Sequence, residues 1–108
     1  SANPFLLELQ LENCVLDYCN FYKLPLKKSK FLQSRLREVD FSQANLSEAS
    51  FQGSDLLGAV FDQTNLEKAD FREAIHYRIV PELNVLKGAR FDLAGLPGLL
   101  ESYGIKVD

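Results

Sequence analysis

The chain has little with which to do covalent chemistry. Its 108 residues hold one histidine, two cysteines and no methionine. His76 has no Ser, Cys or acid placed near it in a recognisable catalytic arrangement, so it is expected to be a surface or loop residue. Cys14 and Cys19 bring too few neighbouring ligands for a metal site. They read as small core residues, because buried free cysteine packs as an apolar group; whether their geometry would allow a disulfide is left open by sequence. No nucleophile–base pair, phosphate loop or metal cluster is evident. The expectation is a non-enzyme with no catalytic, cofactor-binding or metal-binding residues.

Other absences narrow the setting. No apolar run is long enough to span a bilayer, and no charged-then-apolar signal segment opens the chain, so a cytoplasmic protein without membrane contact is expected. The net charge of −3 is mild for this length. The length bounds the chain to one domain or a piece of one. With no methionine, it looks like a processed or expressed fragment, the C-terminal part of a longer solenoid, with SerAlaAsn at its front an added remnant.

What is present is a repeat of five. Leu36, Phe41, Leu46, Phe51, Leu56, Phe61, Leu66 and Phe71 recur without a slip, and Ser34, Val39, Ala44, Ala49, Ser54, Ala59, Thr64 and Ala69 stand two places before them. Backwards the same register takes in Leu6, Leu11, Leu16, Phe21, Leu26 and Phe31. A period of five fits neither regular element. On a helix it leaves successive apolar groups about 140° apart, and on a strand it sends them to opposite faces. The centres can share one interior only if the chain turns a corner every five residues and winds into a coil. Phenylalanines fall ten apart at 21, 31, 41, 51, 61, 71 and 91. An even-sided coil would stack Phe on Phe, and four sides, or about twenty residues per coil, suits this better than three.

Segments 44–48 (AlaAsnLeuSerGlu), 54–58 (SerAspLeuLeuGly), 64–68 (ThrAsnLeuGluLys) and 69–73 (AlaAspPheArgGlu) carry the pattern most clearly. The chain here resembles the pentapeptide-repeat family, over about residues 9 to 96. The resemblance implies an all-β fold, a right-handed quadrilateral parallel β-helix over 1–96. Residues 36, 41, 46, 51, 56, 61, 66 and 71 would form its core stack.

From Ala74 the motif fails. His76 and Pro81 stand where the frame expects Leu or Phe, and Leu86, Phe91 and Leu96 then resume it. Residues 76–85 are either two irregular sides of one coil or a bulging loop. Pro81 cannot donate to a ladder and disfavours helix just before it. Residues 97–108 leave the repeat: Pro97 suits a first helical turn and Gly104 a stop. A short capping helix followed by an extended IleLysVal is expected to lie over the last coil. The runs at 86–91 and 99–105 look like the C-terminal end of the Qnr-type members, which protect DNA gyrase from quinolones. That resemblance implies a homodimer contact through Leu99, Leu100, Tyr103, Ile105 and Val107.

Charge tempers the functional implication. The side centred on Phe21, Phe41 and Phe61 carries Asp40, Asp62 and Glu82 against Lys23, and that centred on Leu26, Leu46 and Leu66 carries Lys27, Lys28, Lys68 and Lys87 against Glu48 and Glu67. Five coils would make a rod of roughly 24 Å, and duplex DNA of that length carries about fourteen charges. Two functions are expected from the sequence: a DNA-mimicking binder of DNA gyrase or topoisomerase IV, or a scaffold and protein-interaction module unrelated to gyrase. Neither implies direct nucleic-acid binding.

Overall fold

In the computed structural model, residues 8–107 are described. The repeat position at Leu6 and the SerAlaAsn remnant expected from sequence lie outside them, as does Asp108.

Each five-residue unit has the same local physics. The N–H three residues after an apolar centre donates back to the centre's carbonyl, as in Ala44 to Phe41 (3.1 Å), Ala49 to Leu46 (3.0 Å) and Ala69 to Leu66 (3.0 Å). A turn closed in this way with positive φ at its third residue is of the type II kind. The residue two after the centre is left-handed accordingly: Tyr18 (φ 65°), Glu38 (59°), Lys68 (59°), and glycine at 53 (75°) and 88 (74°). The Asp or Asn before the centre explains itself too. Its Oδ1 accepts the N–H two residues on, Ser42 to Asp40 at 2.8 Å, Ser47 to Asn45 at 3.1 Å and Glu67 to Asn65 at 3.1 Å. These Asx turns brace the corner.

Units then pair in parallel with the units twenty residues on. Strand β1 (Gln10–Glu12) pairs with β2 (Lys30–Leu32), Gln10 opposite Lys30. Single parallel bridges continue the same step, among them Val15 to Arg35, Asp40 to Val60, Asp55 to Ile75 and Asp70 to Arg90. Twenty residues are four units, so each tier of chain sets like centres over like. Phe31, Phe51, Phe71 and Phe91 stack at 5.3, 5.0 and 5.2 Å with nearly parallel rings, and Phe41 and Phe61 stack at 5.2 Å. Rings of the two stacks meet edge to face, Phe41 to Phe51 at 5.6 Å and Phe51 to Phe61 at 5.9 Å. The leucines at 26, 36, 46, 56 and 66 are fully buried. Burying each such side chain is worth about 1.5–3 kcal/mol before chain entropy is set against it.

The small residues before each centre do more than fit. Ser34, Ser54 and Thr64 are buried. Ser54 Oγ accepts the Ser34 N–H at 3.0 Å, and the Thr64 hydroxyl donates to the Phe41 carbonyl at 2.9 Å. Buried backbone groups are thereby satisfied inside the apolar stack. Cys14 and Cys19 are free thiols and only half-buried. The expectation of core cysteines holds only in part: Cys19 packs against the core from a half-buried position, as the centres Leu11, Leu16 and Phe21 of the same tier do, whereas Cys14 is half-buried beside it.

Residues 76–84 depart from the step without projecting as a loop. His76 turns outward at φ 62°, and Tyr77 and Ile79 take the interior instead. The Tyr77 ring lies 5.4 Å from Phe71 and 5.7 Å from Phe91. Pro81–Leu83 forms a 3₁₀ turn. Asn84 stitches it back: its amide donates to the carbonyls of Phe61 and Val80 at 3.0 Å, and its oxygen accepts the Thr64 N–H at 3.0 Å. Regular pairing resumes at Val85, opposite Asn65.

The end of the chain is helical in short pieces: a 3₁₀ turn at Leu93–Gly95, helix α1 at Pro97–Leu100 and a 3₁₀ turn at Glu101–Tyr103, stopped by Gly104 at φ 70°. Two glycines bring it close. A methyl group at Gly95 would overlap the Tyr77 hydroxyl, and one at Gly98 would overlap the Tyr77 carbonyl oxygen. The Gly98 carbonyl accepts the Ile79 N–H at 2.9 Å. Residues 105–107 were expected to lie over the last tier; they are exposed and make no backbone hydrogen bond among the described residues, because α1, bonded through Gly98 to Ile79, occupies that place.

Candidate functional site

Where residues 76–80 leave the ladder, a cleft of about 910 Å³ opens. Residues 57–61 line it on one side, with residues 76–78, Val80, Ala94, Gly95, Pro97 and Gly98 completing the wall. The cause is visible in the hydrogen bonds. One tier earlier, the N–H groups of Glu38 and Phe41 donate to Leu57 and Val60 at 2.9 Å, and the Val39 carbonyl accepts Val60 N–H at 2.9 Å. Their equivalents twenty residues on, Gly58 N–H, Phe61 N–H and Ala59 C=O, have no partner among the described residues. The chain that would have paired with them has gone to the C-terminal cap, through Ile79 N–H to Gly98. A stretch of strand edge is left open inside an otherwise continuous ladder.

The walls of this notch are apolar and its rim is acidic. Leu57, Val60 and Ile75 are about half exposed, and Val80, Ala94 and Pro97 continue the apolar lining. Glu73, Asp92 and Glu101 stand on the rim against Arg78, which lies 3.7 Å from Glu101. Asp92 accepts the Glu73 N–H at 2.6 Å. Tyr77 lines the cleft from the core side. Its hydroxyl is buried with no hydrogen-bond partner among the described residues, and burial, with the Asp92 charge adding to it, pushes its pKa up to about 12.

A second feature climbs one face. Asp17 binds Arg35 at 2.8 Å and the Arg37 N–H at 3.1 Å; Arg37 in turn binds Asp55 at 2.8 Å, and Asp55 Oδ1 lies 3.0 Å from His76 Nδ1. Burial opposes the charge on Asp55, but hydrogen bonds from His76, Arg37 and the Leu57 N–H outweigh it and hold the carboxyl below its ordinary value. The bond from Arg72 does the same for Asp70. Solvent screens exposed pairs of this kind, so they add little to stability; their larger consequence is that these carboxylates meet solvent already neutralised. His76 is exposed, and Asp55 is its one hydrogen-bond partner among the described residues, so no hydroxyl or thiol is placed for it to activate. Among those residues no group of three or more His, Cys, Asp or Glu could hold a metal ion, and no helix is long and apolar enough to cross a membrane.

The residues anticipated from sequence fall in two places. Leu36, Phe41, Leu46, Phe51, Leu56, Phe61, Leu66 and Phe71 are all buried in the stacks. Tyr103, Ile105 and Val107 are 48, 51 and 53% exposed, and Leu100 is half-buried. Leu99, also anticipated as a dimer contact, is partly buried and packs against the core. Tyr103 is held to the 3₁₀ turn by a hydrogen bond to Glu82. Sequence reasoning missed Tyr77, Asn84 and the Gly95/Gly98 pair. Asn84 was the most accessible of these, since it occupies the frame position of Thr64 and repeats its bonding.

Residues 6–91 match the family described as pentapeptide repeat region. The chain belongs to the pentapeptide-repeat family. Members of the family adopt a right-handed β-helix. Similar solved structures include HetL from the cyanobacterium Nostoc, a pentapeptide repeat protein involved in heterocyst differentiation regulation. HetL is 20% identical, with a TM-score of 0.48 over 74% of this chain and 44% of its own. A trypsin-treated form of QnrB1, a plasmid-mediated fluoroquinolone resistance protein, is 19% identical, with a TM-score of 0.39 over 92% of this chain and 68% of its own. A pentapeptide repeat protein of the Arabidopsis thaliana thylakoid lumen is 23% identical, with a TM-score of 0.42 over 75% and 57%. The chain thus spans less than half the length of HetL. No curated protein matches it.

Proposed function

We propose that this chain is a non-enzymatic protein-binding rod, built as a right-handed quadrilateral β-helix of about twenty residues per coil and working in the cytoplasm. The observation that carries this reading is the notch, where a paired ladder exposes backbone donors and an acceptor between apolar walls. Such a surface suits polypeptide recognition. The Arg-paired carboxylates of the Asp17–Asp55 face weigh toward an interaction module and away from a surface that works by bare negative charge.

The second reading is a DNA-mimicking partner of DNA gyrase or topoisomerase IV, of the quinolone-protection kind. What favours it is the C-terminal resemblance together with the exposed Tyr103, Ile105 and Val107, which suit a homodimer. Binding of the chain to gyrase, with and without competing duplex DNA, and its mass in solution separate the two. Competitive binding by a dimer supports the gyrase reading. No binding to gyrase, with a stable complex to another cellular protein, supports the interaction module. Leu100→Glu is expected to weaken self-association while leaving the tiers folded; a monomer before the substitution sinks the dimer.

A further inference from the structure

We infer that the notch docks a peptide segment of a partner protein, which bends with the corner at Gly58, pairs in parallel with residues 58–61 and alternates apolar with basic side chains. The inference rests on the protein-binding reading above and gives that partner its chemistry.

The backbone sets the geometry. Leu57 C=O and Val60 N–H are tied to the tier before, to Glu38 and Val39, so the edge is held from behind. On its open side Gly58 N–H, Ala59 C=O and Phe61 N–H belong to a unit of regular form, with Gly58 at φ 74° and the Ala59 N–H bonded to the Leu56 carbonyl at 3.0 Å. A guest residue in the place that the repeat assigns to residue 80 would donate its N–H to Ala59 C=O and accept Phe61 N–H. The guest carbonyl three residues earlier would accept Gly58 N–H. Strands added in this way sit about 4.8 Å from the edge, and the chain's own segment has withdrawn to the cap, leaving the cleft volume described above. An open edge flanked by side-chain pockets takes affinity from the main chain and selectivity from the pockets.

The side chains set the sequence. Leu57, Val60 and Ile75 offer apolar surface to alternate guest residues. Three rim carboxylates, Glu73, Asp92 and Glu101, face one guanidinium, Arg78, and that excess favours a cationic guest. Lysine or arginine can lay an apolar stem along the wall while its charge reaches the rim.

Backbone amide exchange followed by NMR on the whole chain tests this. In the free protein Gly58 and Phe61 should exchange at least about 100-fold faster than Glu38 and Phe41, whose amides are bonded. A blocked synthetic peptide of alternating valine and lysine should slow exchange at Gly58 and Phe61. The same peptide with glutamate for lysine, or N-methylated along its bonding edge, should not. Glu101→Lys should weaken binding by about tenfold through the rim charge. The inference is overturned if Gly58 and Phe61 are already as protected as Glu38 and Phe41. It is also overturned if millimolar lysine peptide protects neither, if the glutamate peptide binds as well, or if raising the protein concentration alone protects them, which would make a second copy the occupant. A cellular partner that binds but leaves both amides fast-exchanging removes the notch and spares the protein-binding reading, whereas the absence of any protein partner removes that reading itself.

Discussion

Replacing Tyr77 with phenylalanine removes one buried oxygen and almost nothing else. The ring would keep its contacts with Phe71 and Phe91, and the oxygen lost is one that finds no partner beneath Gly95. Burying a hydroxyl without a hydrogen bond costs about 1–3 kcal/mol in protein mutational series. Tyr77→Phe should therefore stabilise the chain, by about 1 kcal/mol once the small loss of packing around the oxygen is allowed for. The pH dependence gives a second reading of the same group. An acid whose pKa is raised on folding, here from 10.0 to about 12, leaves stability untouched below the unfolded value. Above it the unfolded state loses its proton first, and folding weakens by about 1.4 kcal/mol per pH unit. The advantage of the phenylalanine variant should thus be constant to about pH 9 and widen from about pH 10 upward. Urea unfolding followed by circular dichroism at pH 7, 9 and 10.5 measures both effects. A variant less stable than the parent at pH 7, with no widening at pH 10.5, would refute the reasoning and show that the hydroxyl is hydrogen-bonded.

Three further outcomes are expected. Phe51→Ala takes a fully buried ring from between Phe31 and Phe71, so it should cost about 3–5 kcal/mol, and an unchanged unfolding midpoint would contradict its place in the stack. Gly98→Ala puts a methyl group against the Tyr77 carbonyl, which is backbone and cannot step aside; the cap should loosen at a cost of about 1–3 kcal/mol, seen as faster proteolysis after residue 96 with the tiers intact. Asp55 and Asp70 are held below their ordinary value of 3.8 on folding, so their contribution is full above that value and is lost as pH falls through their lower folded values. Stability should be flat from pH 7 to about 5 and fall below about pH 4, and Asp55→Asn with Asp70→Asn should make that fall shallower. An acid limb of unchanged steepness in the double variant counts against the assignment.

The Asp17–Arg35 and Arg37–Asp55–His76 contacts show how far sequence reading reached on charge. Sorting the sides gave a mixed surface, but the partners lie 18 to 21 residues apart, and which charges meet depends on side-chain reach between tiers. The irregular stretch shows the same limit. The failure of the frame at His76 and Pro81 was plain. That Tyr77 and Ile79 would turn inward in their place was not, because a one-residue shift at a left-handed corner moves every following side chain and leaves no mark in the residue pattern. Gly95 and Gly98 read only as loop residues until the cap was seen lying on Tyr77.

The sequence by itself determined the inward positions. A Leu or Phe every five residues, a small residue two before it and Asp or Asn just before it leave a chain that must turn at each unit, since no straight element can bury such a pattern. Local chemistry sufficed there: the Asx bond, the type II-like turn and the left-handed corner all lie within six residues. Tertiary structure alone decided the notch. Gly58, Ala59 and Phe61 carry ordinary repeat residues, and their backbone groups are open because a segment some twenty residues later bonds to Gly98 instead. An unpaired strand edge is a property of what fails to arrive from elsewhere in the chain, and no residue at the edge itself records it.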